Sequence, residues 1–161
     1  MSRKTDADYM NMALQQAEIA AENGEVPVGA VLVTVNGREF ASYNAPITTH
    51  DASAHAEMRV IRIACEAAEN YRLTGATLYV TLEPCTMCAG AIVHARIGRV
   101  VYGATDPKTG AVESLSKVLS DKRLNHQPEV VSGVLAEECG ALLRRFFRER
   151  RRQAGVDSPG Q

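Results

Sequence analysis

The sequence predicts an α/β protein of three layers, with helices covering both faces of a mixed sheet of about five strands. Two observations carry that expectation. Helical and strand-like stretches alternate from Ala54 to Arg152, which implies crossover connections and parallel pairing. Before that, Asn36-Gly37 separates two β-rich runs. Asn-Gly in that setting is the strongest short hairpin signal, so the sheet opens with an antiparallel pair.

The elements follow in order. Tyr9, Met10, Ala13, Ala17 and Ala20 recur at three and four, which reads as a helix over Asp6–Asn23 stopped by Gly24. Val26–Val35 is the first strand and Glu39–Tyr43 its hairpin partner. A polar loop, Asn44–Ser53, leads into an Ala-rich helix over Ala54–Glu69, with Asp51 or Ser53 as its cap. Thr77–Leu82 is a third strand, closed by Pro84. A second Ala-rich helix follows over Cys85–Ala95. Arg99–Tyr102 and Glu129–Val131 complete the sheet, and Ala136–Arg152 is a long terminal helix. One domain over residues 1–153 is expected, with 154–161 a flexible tail.

Composition narrows the function classes. The chain has 161 residues, 45% hydrophobic and 23% charged, enough to build a core and too apolar for a disordered chain. No apolar run reaches membrane-spanning length, and MSRKTDADYM has no apolar signal core, so a cytoplasmic protein is expected. In that reducing setting the four cysteines suit ligands or buried thiols better than disulfides. The net charge of −1 conceals an asymmetry: residues 1–80 carry −4 and residues 81–161 carry +3. Much of the basic excess lies at Arg144, Arg145, Arg148, Arg150, Arg151 and Arg152. A solvated helix end accounts for that cluster, and so does contact with a polyanion.

Two short clusters carry chemistry. His55-Ala56-Glu57 and Pro84-Cys85-Thr86-Met87-Cys88 each open a helix. Cys-x-x-Cys places two thiolates one helical turn apart, and a helix N-terminus lowers thiol pKa values. Two thiolates and one imidazole make a three-ligand zinc site. A catalytic zinc keeps its fourth position for water, whereas a structural zinc fills it with protein. Cys65, Cys139, His50, His94 and His126 are the Cys and His candidates for a fourth ligand. Glu57 is then a carboxylate placed to move the proton of a zinc-bound water. Residues i and i+2 do not share a helix face, so His55 and Glu57 meet one metal only if it lies off the helix end.

His-x-Glu followed by Pro-Cys-x-x-Cys is the signature of zinc nucleobase deaminases. The resemblance extends through Glu25–Ala30, Asn44, His50-Asp51, Ala54–Glu57, Asn70–Leu73, Ala76–Arg99, Asp106, Lys108–Gly110, Asn125-His126 and Leu135–Cys139. Over about residues 8–152 the chain resembles the bacterial tRNA adenosine deaminases of the TadA type. The resemblance implies a cytidine deaminase-like fold and a homodimeric enzyme. It would convert adenosine to inosine at the wobble position of a tRNA anticodon stem-loop, with one zinc per chain held by His55, Cys85 and Cys88. Zinc-bound hydroxide would attack adenine C6, with Glu57 as proton shuttle. Asn44 would hydrogen-bond the nucleotide. Val28, Leu82 and Pro84 would wall the base, the Ala56 amide would contact it, and Asp106 would lie at the ribose. Phe147 would line the RNA cleft, and Lys108, Asn125, His126, Arg148, Arg150 and Arg151 are candidate RNA contacts.

The chain departs from that family at Asp51-Ala52-Ser53, where a Pro is common, and at Thr49, Glu113 and Asp121-Lys122-Arg123. None touches the metal ligands; all bear on RNA affinity. Three other readings remain open: a deaminase of free guanine or cytosine, a zinc-stabilised interaction module without turnover, and an engineered DNA-editing relative.

Overall fold

The computed structural model describes residues 3–157. The chain runs α1 (Asp6–Glu22), β1 (Gly29–Val33), β2 (Glu39–Tyr43), a single turn α2 (Pro46–Thr49), α3 (Ala56–Ala68), β3 (Thr77–Leu82), α4 (Thr86–His94), β4 (Arg99–Ala104), β5 (Glu129–Val131) and α5 (Ala136–Asp157). The sheet order is β2-β1-β3-β4-β5. β1 pairs antiparallel with both β2 and β3, whereas β3, β4 and β5 are parallel. The mixed five-stranded sheet and its hairpin are therefore as the sequence predicts.

Alternation along the strands divides the core between two faces. Leu32, Leu78, Val80, Val100 and Tyr102 meet Val60 and Ile61 of α3 and Ala89 and Ile92 of α4. Val31, Tyr79 and Val101 point the other way, onto Met10 and Ala13 of α1 and Cys139 of α5. α1 lies so close to β1 that a Cβ on Gly29 would collide with the Ala13 carbonyl and the Ala17 amide. Its N-terminus carries a capping box, Thr5 with Asp8. Arg99 then ties the start of α1 to β4 through two bonds to Asp6, at 2.8 and 2.7 Å.

Three elements differ from expectation. The Asn44–Ser53 segment contains α2, whose exposed turn has no apolar periodicity to announce it. α3 begins at Ala56 with His55 as its N-cap; neither Asp51 nor Ser53 caps it, because the Asp51 carboxylate accepts the Ser53 amide and hydroxyl instead. α5 is helical through Asp157, past the expected start of a tail at 154; residues 158–161 lie outside the described residues.

Candidate active site

β2 and β3 both end beside the start of antiparallel β1, and the segments beyond them lead into α3 and α4. Cys85 is the N-cap of α4, with extended backbone at φ −79° and ψ 177°. His55 is the N-cap of α3, also extended, at φ −70° and ψ 154°. Each residue therefore stands just off its helix, while Cys88 and Glu57 lie in the first turns. That resolves the i, i+2 difficulty: His55 is outside the helix that carries Glu57.

His55 Nδ1 lies 3.5 Å from Cys85 Sγ and 3.4 Å from Cys88 Sγ. Among the described residues these three form a group whose donor atoms all lie within 4.8 Å of one another. The donor set and spacing fit zinc. Tetrahedral ligation at ordinary Zn–N and Zn–S lengths separates a nitrogen from a sulfur by about 3.6 Å. Cys65, Cys139, His50, His94 and His126 are not in the group. Cys139 is buried against β4 and Cys65 faces the Tyr71 carbonyl, so among the described residues the group offers three protein donors.

Of the two thiols, the local electrostatics favour the thiolate at Cys85 alone. A hydrogen bond from Cys88 pulls the Cys85 thiol down to about 4 against the opposing effect of burial, helped by His55 and the Cys88 amide. The Cys88 thiol is pushed up by donating to Cys85 and by burial. The hydrogen bond to Cys85 raises His55. Glu57 is 4% exposed. Burial pushes its carboxyl up to about 7, while a backbone hydrogen bond and the charge of His55 work the other way. A carboxyl poised there can both take and give a proton near neutral pH.

His55, Glu57 and Cys85 open onto a cleft of about 190 Å³, lined also by Val26, Val28, Asn44, Leu82, Glu83, Asp106 and Thr109. Of the residues singled out in the sequence, the structure brings Val28, Asn44, His55, Glu57, Leu82, Cys85 and Asp106 to this cleft, with Cys88 beside His55. Asn44 donates from Nδ2 to the Val26 carbonyl at 3.3 Å, which orients its amide. Ala56 and Pro84 are buried and are not among the lining residues. The Asp106 carboxylate accepts the amides of Lys108 and Thr109 and the Thr109 hydroxyl, so it organises its own turn at the rim.

Phe147 is not brought to the cleft; it is 41% exposed on α5, edge-on to Phe146. Lys108, Asn125, Arg148 and Arg151 are exposed. His126 directs Nε2 at the Ile97 carbonyl, 2.7 Å away. Arg150 reaches the Gly24 carbonyl at 3.4 Å, two residues before the cleft-lining Val26. Of the departures, Glu113 turns its carboxylate to the buried Tyr102 hydroxyl and Arg123 pairs with Asp121 at 2.8 Å.

Two residues at the site carry no clear mark in the sequence. Glu25, 1% exposed, accepts the Ile47 and Thr48 amides and the Thr48 hydroxyl, fixing α2 beside Asn44. Glu83, 2% exposed, accepts five hydrogen bonds from the segment 106–114. Its signals in the sequence are its place within the family-like stretch Ala76–Arg99 and its being a lone acid between an apolar strand and Pro84.

Comparison with known proteins agrees with this geometry. A family model for MafB19-like deaminases matches residues 4–151. The tRNA-specific adenosine deaminase of Bacillus subtilis (strain 168) is 55% identical over 149 residues, covering 92% of each chain. That of Agrobacterium fabrum is 54% identical over 144 residues, covering 89% of this chain and 94% of its own.

The chain belongs to the tRNA-specific adenosine deaminases.

A solved structure from work on A-to-I editing by tRNA deaminases at the wobble position superposes on this deaminase with a TM-score of 0.81. It is 52% identical and covers 84% of this chain and 98% of its own. A guanine deaminase from Nitrosomonas europaea superposes at 0.77 with 18% identity, covering 91% and 86%, which shows a shared fold. Among the described residues no helix is long and apolar enough to cross a membrane.

Proposed function

We propose that this deaminase hydrolyses adenosine to inosine at the wobble position of a tRNA anticodon, with one zinc ion per chain. The observation that carries the proposal is that Cys85 Sγ and Cys88 Sγ lie 3.4–3.5 Å from His55 Nδ1, beside a cleft lined by His55, Cys85 and buried Glu57. Those three side chains would hold the zinc. When bound there, zinc supplies Lewis acidity and brings water towards a neutral pKa.

The remaining roles fall to the chain's own groups. The Glu57 carboxylate accepts a proton from water and delivers it to the ring nitrogen beside C6. It then carries a second proton to the departing amine, so adenosine and water become inosine and ammonia. The Asn44 amide, held by Val26, orients the nucleotide, and Val28 and Leu82 flank the base. Ala56 and Pro84 back that pocket, and Asp106 shapes the rim on the ribose side.

Only an extruded base reaches so small a cleft, so the RNA must be held outside it. The Arg150 tether to Gly24 brings the basic end of α5 to the Val26 side of the rim. Arg148, Arg150 and Arg151, with Lys108 and Asn125, serve as phosphate contacts, and Phe147 as an exposed apolar contact. His126 holds its segment to Ile97 and contributes by position. We place the reaction in one deaminase domain over residues 1–153, acting as a cytoplasmic homodimer. The test is inosine formation in an anticodon stem-loop carrying a wobble adenosine, with Glu57→Gln as the inactive control.

A further inference from the structure

We propose that Glu83 is a positioning residue for the reaction, fixing the substrate-facing turn 106–114 against the segment that delivers Cys85. The inference rests on the deaminase reading of the cleft and adds a residue to it.

The geometry is specific. Glu83 Oε1 accepts the Asp106 amide at 2.9 Å and the Ser114 hydroxyl at 2.5 Å. Oε2 accepts the amides of Val112, Glu113 and Ser114 at 3.1, 2.8 and 3.0 Å. The turn closes over the carboxylate so tightly that a Cβ on Gly110 would lie 2.5 Å from both oxygens. It is also stitched to the ligand segment itself. The Ala111 amide donates to the Pro84 carbonyl at 2.8 Å, and Gly110 bridges to Cys85. Asp106 and Thr109, in the first half of the turn, line the cleft together with Asn44 and Val28. One buried side chain therefore sets the distance between the rim that receives the nucleotide and the strand end that carries a metal ligand.

All five partners are donors, which is why a carboxylate stands here. Its oxygens only accept, and donors to an ionised acceptor make stronger bonds than neutral pairs. Glutamine has nearly the same shape but must present its NH₂ to some of the same donors. Glu83→Gln is thus a change of hydrogen-bond sense with little change of volume.

The experiment compares zinc-loaded wild type, Glu83→Gln and Ser114→Ala on the wobble-adenosine stem-loop, with amide hydrogen exchange on each protein. Glu83→Gln is expected to keep its zinc, to lose protection at Asp106, Val112, Glu113 and Ser114 while β3 and β4 keep theirs, and to raise KM about ten- to a hundred-fold with kcat within about three-fold. Ser114→Ala removes one donor and leaves the fold alone; a KM increase of about three-fold is expected, which keeps the test available if Glu83→Gln does not fold. Unchanged KM and unchanged protection in both variants would overturn the proposal. So would joint loss of zinc and kcat in Glu83→Gln with the turn still protected, which would make Glu83 a support of the metal instead. A wild type that forms no inosine contradicts the proposed function; the exchange data then decide whether Glu83 holds the turn.

Discussion

His55 Nδ1 stands 3.5 Å from Cys85 Sγ, and each residue is the N-cap of its own helix. Two helix N-termini thus bring their positive ends to one point, which favours thiolate at Cys85. The position of each ligand follows from where a helix begins.

Glu57→Gln preserves shape and removes the exchangeable carboxyl proton. It should leave zinc content at one per chain and lower kcat/KM by about 10²- to 10⁴-fold, measured by inosine formation. Retained activity would remove Glu57 from the proton path.

His55→Ala, Cys85→Ala and Cys88→Ala each leave two donors. Elemental analysis should find zinc lost from all three. Chelation of the wild type should lower Tm, and added zinc should restore it in a concentration-dependent way, because a ligand bound only to the folded state stabilises by mass action.

The Asp6–Arg99 pair gives a pH-dependent contribution to stability. Hydrogen bonding to Arg99 holds the Asp6 carboxyl below its ordinary 3.8. A depressed folded-state pKa means that the contribution is complete above that value and is lost as pH falls below it. Asp6→Asn should therefore destabilise by about 1–2 kcal/mol at pH 7 and by progressively less as pH falls below 3.8, read from denaturant melts.

Gly29→Ala should cost about 3 kcal/mol or more, because the added methyl meets backbone atoms of α1 that cannot move aside singly. A Tm drop with unchanged metal stoichiometry would place the damage between α1 and β1.

RNA affinity should fall with salt. Replacing Arg148 or Arg151 with Ala should make the slope of log affinity against log salt shallower by about one for each phosphate left without its cation, with kcat unchanged. An unchanged slope would return the basic end of α5 to a solvated face.

The sheet, its hairpin and the His55–Cys85–Cys88 group are legible in the sequence because each depends on local signals: Asn36-Gly37, apolar alternation, and His-x-Glu and Cys-x-x-Cys at helix starts. The off-helix placement of His55 is not, since it turns on a two-residue difference in where α3 begins. Nor are Glu25 and Glu83. A buried carboxylate is defined by donors distant in sequence, and no periodicity marks it. Phe147 shows the converse: its helix is foreseeable, but which residues of α5 reach the cleft depends on tertiary packing, and Phe147 is not among the lining residues.

The most direct test is a single assay of the zinc-loaded protein on a wobble-adenosine stem-loop beside free adenosine, guanine and cytosine, with Glu57→Gln in parallel. Inosine is expected in the stem-loop alone, abolished in the variant while one zinc per chain remains. Turnover of a free base with the stem-loop untouched would contradict a tRNA substrate.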